Sequence, residues 1–470
     1  MSGTLSALAA TLALAPASPA PSSHAPGLAA PAPSFPAPGL PAPAPSSLAP
    51  APLSPAPMPP SQPPTSSSQA PAPAAVSNVP FVNRRDPPPY RKLNASETAR
   101  YELGMAVFNT QFVVAGTAGA GRRDGVGPLF NAASCDECHN NGARGRGLTE
   151  DGPLPPSLVI QLAEPSPGNP HDPPGDPVYG RVLNTLSLEG LPPEGVATVH
   201  YESFSGRYPD GSPWSLRVPQ YRLTQLRYGL LSPHTIVKPR LAPALFGVGL
   251  LDAADGAKEQ SSHGRFGWQA SAVSIRDQTA RAFAREMGLT SSDIQHDDCT
   301  ATQTTCLKQP NGGTPEVSAE LFDAVLTFQR WLAVPASPTP QARSGTFVQL
   351  GCAECHRAER SIKLSDSGGQ PVEAVIAPYT DLRLHDLGDG LADQTVAGKR
   401  VATKWRTAPL WGLGYRMSLE SHPTFLHDGR ARSAEEAILW HDGEAASARD
   451  HFERLPAAER TALLHWLETL

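Results

Sequence analysis

The chain has 470 residues, of which 40% are hydrophobic, and a formal net charge of −6, with 38 Lys and Arg against 44 Asp and Glu. A chain of this length and apolar content can bury a sizeable core, which excludes a wholly disordered protein. The near balance of charge excludes a nucleic-acid-binding protein that works through bulk positive charge.

The first 80 residues differ in composition from the rest. They contain 22 of the 53 prolines and no Asp, Glu, Lys or Arg. Such a chain lacks the apolar surface that would offset its ordering entropy, so residues 21–83 are predicted to form a disordered Pro/Ala-rich tether. Residues 1–20 are apolar and end in small residues, like the hydrophobic part of a signal peptide, although the basic residues that normally precede it are missing.

The folded body is predicted to be mainly α-helical, with long ordered loops and little β structure. Asn94 followed by Glu97 is typical of a helix start, and apolar residues recur at helical spacing within 315–334 and 456–470. Between 150 and 270 the chain is rich in Pro and Gly, which predicts loops with short strands and short helices. The body contains no apolar stretch long enough to predict a membrane span.

Two cysteine motifs carry the clearest chemical signal. The pattern C-x-x-C-H occurs at Cys135, Cys138 and His139, and again at Cys352, Cys355 and His356. This pattern is typical of covalent c-type haem attachment. Two thiols on one helical turn can each form a thioether to the porphyrin, and the adjoining histidine can bind the iron. The sequence therefore predicts two covalently bound haem c groups.

Two other interpretations of these cysteines stay open at this stage. A structural zinc site would need the two cysteine pairs to meet in space, and it would leave both histidines in the same place by coincidence. A thioredoxin-like redox pair expects a βαβ context, which neither motif shows.

Cys299 and Cys306 are the remaining cysteines. Haem attachment implies an oxidising, extracytoplasmic compartment, in which two nearby thiols normally pair. A disulfide that closes a small loop is therefore predicted, and a redox-active dithiol is the alternative.

A similar phrase follows each cysteine motif at a distance. It reads RLAPALFG from Arg240 and RTAPLWG from Arg406. Together with the duplicated motif, this indicates two cytochrome-c-like domains with one haem each. The N-terminal domain is expected at 84–335, with haem 1 and an inserted loop region, and the C-terminal domain at 336–470, with haem 2. Either arginine could pair with a haem propionate.

Several longer phrases resemble a known family. They are GPLFNAASCDECH (127–139), RLAPALFGVGLLDA (240–253), LHDLGDGLAD (384–393), WRTAPLWGLG (405–414) and FLHDGRARSAEEAILWHDGEA (425–445). Over about residues 94–470 the chain resembles the di-haem oxidoreductases, often catalogued as "thiol oxidoreductases", which are relatives of bacterial di-haem cytochrome c peroxidases.

The resemblance implies a periplasmic or cell-surface enzyme of the peroxidase type. Electrons would pass from a small donor protein, of cytochrome or cupredoxin type, through haem 2 to an open haem 1, where peroxide or another small substrate reacts. The alternatives are a non-catalytic di-haem electron carrier, in which both haems are six-coordinate, and a di-haem oxygenase. Trp268, Trp405 and Trp411 are available to lie between the haems.

The resemblance also implies roles for individual residues. His441 stands where the related peroxidases supply the second axial ligand of the C-terminal haem. Asp252 stands where the family often has Glu, and it is a candidate for the acid or base that moves a proton at haem 1. His385, His427 and Met417 are weaker ligand candidates.

Overall fold

A computed structural model describes residues 74–75, 87–166, 172–254, 264–336, 344–365 and 370–470. All of them fall within one unit, Phe35–Leu470. Of the predicted signal-like segment and tether, only Ala74–Ala75 are described, and the rest lies outside the described residues. These two residues form a short strand, and the tether over 21–83 stays a prediction.

Ten α-helices occur in the described residues. They are α1 (Ala95–Phe108), α2 (Cys135–Cys138), α3 (Val248–Asp252), α4 (Ile275–Glu286), α5 (Ala319–Trp331), α6 (Gly345–Gln349), α7 (Leu413–Leu419), α8 (Ala434–Leu439), α9 (Ala446–Arg454) and α10 (Ala457–Leu467). The three helices predicted above are present as α1, α5 and α10. At the start of α1 the Asn94 side chain accepts from the Glu97 amide, and the Glu97 carboxylate accepts from the Asn94 amide.

Strands are more numerous in the described residues than the sequence suggests. They are β1 (Ala74–Ala75), β2 (Leu129–Phe130), β3 (Gly152–Pro153), β4 (Leu158–Ala163), β5 (Leu186–Ser187), β6 (Val196–Arg207), β7 (Pro213–Thr224), β8 (Ile236–Leu241), β9 (Arg360–Ser365), β10 (Pro371–Ile376), β11 (Leu384–Asp386), β12 (Asp393–Thr395), β13 (Arg400–Val401) and β14 (Lys404–Arg406). They form five small sheets, in the orders β1-β10-β9, β11-β14, β13-β12-β8-β4, β2-β5 and β3-β6-β7.

The prediction of a mainly α-helical fold with little β structure is wrong. The described residues are 29% helix and 22% strand. The largest β element is the antiparallel pair of β6 and β7, with 12 residues in each strand, and it lies where loops and short strands were expected. β6 and β7 pair with each other across the short segment 208–212, whereas β4 and β8 pair at long sequence separation. In both cases the strands are stabilised by pairing rather than by local composition, so the Pro and Gly content underestimates them.

Each cysteine motif lies beside a buried apolar cluster. Near the first motif, α1 packs against α5 so closely that a Cβ on Gly104 would meet the Ala324 carbonyl at 2.0 Å, and only glycine allows this contact. Cys135 packs against the cluster that these helices share with the segment before α3. Cys352 packs against a second cluster, which includes Phe347 and Trp466. Both motifs therefore pack against the buried apolar side chains of neighbouring helices.

The sheet β13-β12-β8-β4 joins strands from both predicted domains, because β8 pairs with β4 and with β12. The boundary at 335/336 stays a prediction. Among the described residues, the helices are all too short or too polar to cross a membrane.

Candidate functional site

The first cysteine motif forms a single helical turn. Cys135 and Cys138 begin and end α2, and the Ser134 hydroxyl caps the turn by accepting a hydrogen bond from the Glu137 amide at 3.3 Å. His139 follows directly, and its amide donates to the Cys135 carbonyl at 2.9 Å. Both thiols and the imidazole are thus held on one short segment, as attachment of a haem at this spacing requires.

The imidazole of His139 is held in the form that binds a metal. Its Nδ1 lies 2.8 Å from the Pro243 carbonyl, which can only accept, so Nδ1 carries the proton. Burial lowers the pKa of His139 to about 4, so the ring is neutral near pH 7. Nε2 therefore carries the lone pair that can bind a metal ion. Pro243 belongs to the RLAP phrase, which explains why that phrase accompanies the motif.

The second motif repeats this arrangement with a tighter turn. Cys352–Glu354 form a 3₁₀ turn, and the His356 amide donates to the Cys352 carbonyl at 3.0 Å. The His356 Nδ1 donates to the Tyr379 carbonyl at 2.9 Å, and burial lowers its pKa to about 4. Here too a neutral imidazole keeps Nε2 available beside two thiols.

All four motif cysteines are free thiols. Burial raises the pKa of Cys135 to about 12 and the pKa of Cys352 and Cys355 to about 11. A redox-active pair needs a lowered thiol pKa, so the thioredoxin-like alternative does not fit. The zinc alternative does not fit either, because within the described ranges no three His, Cys, Asp or Glu side chains form a group that could hold a metal ion.

His441 lies just after the C-terminal end of α8. Its Nδ1 donates to the Ala437 carbonyl at 2.7 Å, which leaves Nε2 available. His441 is close enough to His356 for its charge to contribute to the lowered pKa of that residue. Burial lowers the pKa of His441 as well, so this ring is also in the form that can bind iron. Its role as second ligand of haem 2 stays a prediction.

The weaker ligand candidates have other uses in the structure. Both ring nitrogens of His385 are engaged, with Nε2 at 2.9 Å from Asp381 and Nδ1 at 2.9 Å from Glu444. His427 is buried and stacks on a tryptophan ring at a centroid distance of 3.7 Å. Met417 packs against the C-terminal apolar cluster.

The two arginines of the repeated phrase have different surroundings. Arg240 makes a bidentate ion pair with Asp393, at 2.8 and 2.6 Å, so a carboxylate already compensates its charge. Arg406 donates through Nε to the Gly267 carbonyl at 3.0 Å, and burial alone lowers its pKa to about 10. Among the described residues no acidic side chain acts on Arg406, so its charge is available to a propionate, whereas that of Arg240 is compensated; the pairing of either with a propionate stays a prediction.

Two carboxylic acids are candidates for proton transfer at haem 1. Burial raises the pKa of Asp252, at the end of α3, but this residue is tied to Arg265, which donates to its backbone carbonyl at 2.7 Å. Glu286, which sequence reasoning missed, lies at the end of α4 and accepts from Asn131 at 3.2 Å. Burial raises the pKa of Glu286 to about 7, and its charge contributes to the raised pKa of Cys138. Glu286 is therefore close to the first motif.

A disulfide joins Cys299 and Cys306, whose Cα atoms are 6.0 Å apart. It packs against the apolar side chains of Leu129 and Leu191, and Cys306 is fully buried. The bond therefore closes the short loop 299–306 before α5, which packs on these side chains of the N-terminal half, and it is remote in sequence from both C-x-x-C-H motifs.

Each motif thus presents a neutral imidazole whose Nε2 can bind a metal, beside a pair of free thiols. Together the two motifs form the donor set of a di-haem protein. The chain belongs to the family described as "Di-haem oxidoreductase, putative peroxidase", whose model matches residues 82–151 and 244–470. The interval between the two matched ranges contains all strands from β3 to β8.

Comparison with solved structures and with curated proteins adds little. One similar structure is "Kuenenia stuttgartiensis Hydrazine Synthase Pressurized with 20 bar Xenon", at 12% sequence identity and a TM-score of 0.36. The similarity covers 87% of this chain and 100% of that one. No curated protein matches the sequence.

Proposed function

We propose that this protein is an extracytoplasmic di-haem c-type oxidoreductase with peroxidase-like activity. The observation that carries the proposal is that each C-x-x-C-H motif presents a neutral imidazole with a free Nε2 next to two unpaired thiols. This arrangement supports covalent attachment of one haem c to each motif. The bound iron supplies the redox chemistry, and membership of the family favours peroxide as the substrate.

The surroundings of the two histidines support a division of labour. His441 and, more weakly, His385 act on the pKa of His356, whereas no second histidine of the described part of the chain acts on the pKa of His139. We therefore assign electron uptake to haem 2, held by His356 and His441, and the substrate position to haem 1, held by His139. The donor would be a small cytochrome or cupredoxin. Reduction of hydrogen peroxide to two waters takes two electrons and two protons, so the first site also needs a proton-carrying group.

Glu286 is the side chain best suited to move these protons. It is a partly buried carboxyl group whose charge acts on Cys138, and its raised pKa of about 7 allows it both to give and to take a proton near neutral pH. Asp252 is less suited because its carboxylate lies 3.9 Å from the Arg265 guanidinium, whose positive charge favours the ionised form of the acid. In this assignment Glu286 replaces Asp252, the acid that the family resemblance implies.

The variant Glu286→Gln should lose peroxide turnover by roughly 10²–10⁴-fold while it keeps both haems, because glutamine cannot exchange a proton. Steady-state turnover and the haem absorbance measure the two quantities. The matched control is Glu194→Gln, since Glu194 is another buried acid with a raised pKa but is bound by Asn184, near the disulfide loop. Equal turnover in wild type and Glu286→Gln would remove Glu286 from the mechanism.

The same variant should change how stability depends on pH. The pKa of Glu286 is raised from its ordinary 4.5 to about 7, so between these values the folded state binds more protons than the unfolded state. Wild-type protein should therefore lose stability as the pH rises from about 4.5 to about 7, by roughly 3 kcal/mol at most, and Glu286→Gln should lose less. Urea unfolding at several pH values checks this, and parallel curves for the two proteins would contradict it.

The variant His441→Met should raise the potential of haem 2, because a thioether ligand favours the reduced iron more than an imidazole does. Spectroelectrochemical titration measures the potential of each haem separately. His465→Met is the control, since His465 is an exposed residue of α10. Unchanged potentials in His441→Met would show that His441 is not a ligand.

The extracytoplasmic location has two chemical supports. A disulfide forms and persists in oxidising compartments, and Cys299–Cys306 is such a bond. Thioether attachment of haem c belongs to the same kind of compartment. The 22 prolines and the absence of charge in residues 1–80 suit a tether that holds the body away from a cell envelope.

Electron paramagnetic resonance and absorbance spectra of the purified holoprotein test the proposal directly. A high-spin ferric signal that changes on addition of cyanide or peroxide, in the oxidised or half-reduced protein, is the expected result. Two low-spin signals that neither ligand changes in any redox state would instead identify an electron carrier. A stable dioxygen adduct with substrate-dependent oxygen consumption would identify an oxygenase, and a protein without haem would overturn the proposal.

A further inference from the structure

Two arginines bind the same short loop from different parts of the chain. Arg144 follows His139 by five residues and donates to the Leu426 carbonyl. Arg416 lies in α7 and donates to the Thr424 carbonyl at 2.6 Å. The two guanidinium groups thus meet at the segment 424–426, although Arg144 and Arg416 are far apart in the sequence.

Aromatic rings fix both guanidinium groups in place. The Arg144 guanidinium carbon lies 5.1 Å from the centroid of the Trp268 ring, and that of Arg416 lies 4.5 Å from the Phe425 ring. The backbone of Trp268 is also hydrogen-bonded to that of Arg406, whose amide donates to the Trp268 carbonyl at 2.9 Å. Each of the two guanidinium groups therefore stacks on its own aromatic ring, and the stacking leaves their edges able to face a ligand.

The charges of Arg144 and Arg416 are not compensated. Arg416 is 4% exposed, and neither arginine has a carboxylate within ion-pair distance among the described residues. The charge of Glu420 acts to raise the pKa of both arginines, but Glu420 forms no ion pair with either of them. The carboxylate of Asp428 forms an ion pair with Arg430 at 2.9 Å. Arg416 is buried and Arg144 is partly buried, and burying a cation without a partner is costly, so the two cations together indicate a missing anion.

Donor groups on the same two side chains are also unused. Nε of Arg144 and one Nη of Arg416 are buried without a hydrogen-bond partner in the described structure. Arg217 provides the comparison, because this buried arginine also lacks a short ion pair but directs Nε and both Nη atoms to backbone carbonyls. An unused buried donor costs about 1–3 kcal/mol, so the free donors of Arg144 and Arg416 point to a ligand rather than to ordinary packing.

We propose that Arg144 and Arg416 form a carboxylate-binding site that holds a propionate of haem 1. The inference rests on the proposed function, because it needs haem at the first motif. A guanidinium matches a planar carboxylate through two parallel hydrogen bonds, and Arg144 is only five residues from His139. The same chemistry would also accept a free carboxylate, so the experiment must separate these two sources.

The test compares the full-length holoprotein with Arg144→Gln, Arg416→Gln and the double variant. Without the cations, the propionate charge favours ferric iron, so the potential of one haem should fall. In the double variant we expect the ratio of reduced to oxidised haem at a fixed potential to fall at least ~10-fold, about 59 mV for one electron. Arg416→Lys should recover part of this shift. Arg122→Gln is the control, because Arg122 is an exposed arginine paired with Glu320.

The outcomes separate the inference from the proposed function. Two haems per chain with unchanged potentials in the double variant would overturn the site and leave the function standing. A wild-type potential that shifts on addition of acetate, with the shift lost in Arg416→Lys or the double variant, would overturn the propionate assignment in favour of a free carboxylate. Wild-type protein without haem would overturn both proposals.

Discussion

Replacing both Cys352 and Cys355 by alanine should leave one covalently bound haem per chain and reduce peroxide turnover to background. These thiols occupy one turn beside His356, and no other free cysteine of the described residues belongs to this motif. Without them the second haem has no covalent attachment, and electrons from the donor no longer reach the first site. Mass spectrometry of the denatured protein gives the number of bound haems, and steady-state assays give the turnover.

The other cysteine pair provides the matched control for this experiment. Replacing Cys299 and Cys306 by serine removes two cysteines without touching a motif, and both haems should stay bound. Opening this short loop should cost about 2–3 kcal/mol of unfolding free energy. If the protein lacking Cys352 and Cys355 still carried two covalently bound haems, the assignment of that motif would be incorrect.

The variant Asp393→Asn should destabilise the fold by about 3–5 kcal/mol, because it leaves the Arg240 cation buried without its partner. The side chain of Asp393 is 0% exposed and that of Arg240 is 6% exposed, and their closest atoms are 2.6 Å apart. The pair lies at the sheet that joins β8 to β12. Unfolding in urea or guanidinium chloride, followed by circular dichroism, gives the free energy.

A nearby exposed pair supplies the control. Asp389 lies 3.7 Å from Arg400, and its side chain is 71% exposed. Asp389→Asn should change stability by less than about 1 kcal/mol, since solvent screens exposed pairs. Substituting both buried partners with apolar residues, as in Arg240→Met with Asp393→Leu, should recover much of the loss. Equal free energies of unfolding for Asp393→Asn and Asp389→Asn would show that the buried pair contributes no more to stability than the exposed pair.

Local sequence determined the parts of the site in which the interacting residues are neighbours along the chain. The C-x-x-C-H spacing places two thiols and an imidazole on one turn, and the capping residues define the start of α1, because these contacts span at most four residues. The donor set for two haems, and with it the family, could therefore be predicted from the sequence. The loop of Cys299 and Cys306 is short enough to belong to the same group.

Only the tertiary structure decided which distant groups meet. His139 is oriented by a carbonyl 104 residues away, and Arg240 pairs with a carboxylate 153 residues away rather than remaining free for a propionate. Glu286 and the arginines at 144 and 416 carry no local pattern, and β4, β5 and β8 pair with strands that lie far away in the chain. The physical reason is the same in each case: burial and pairing set the charge and orientation of these side chains, and both depend on contacts between residues far apart in the chain.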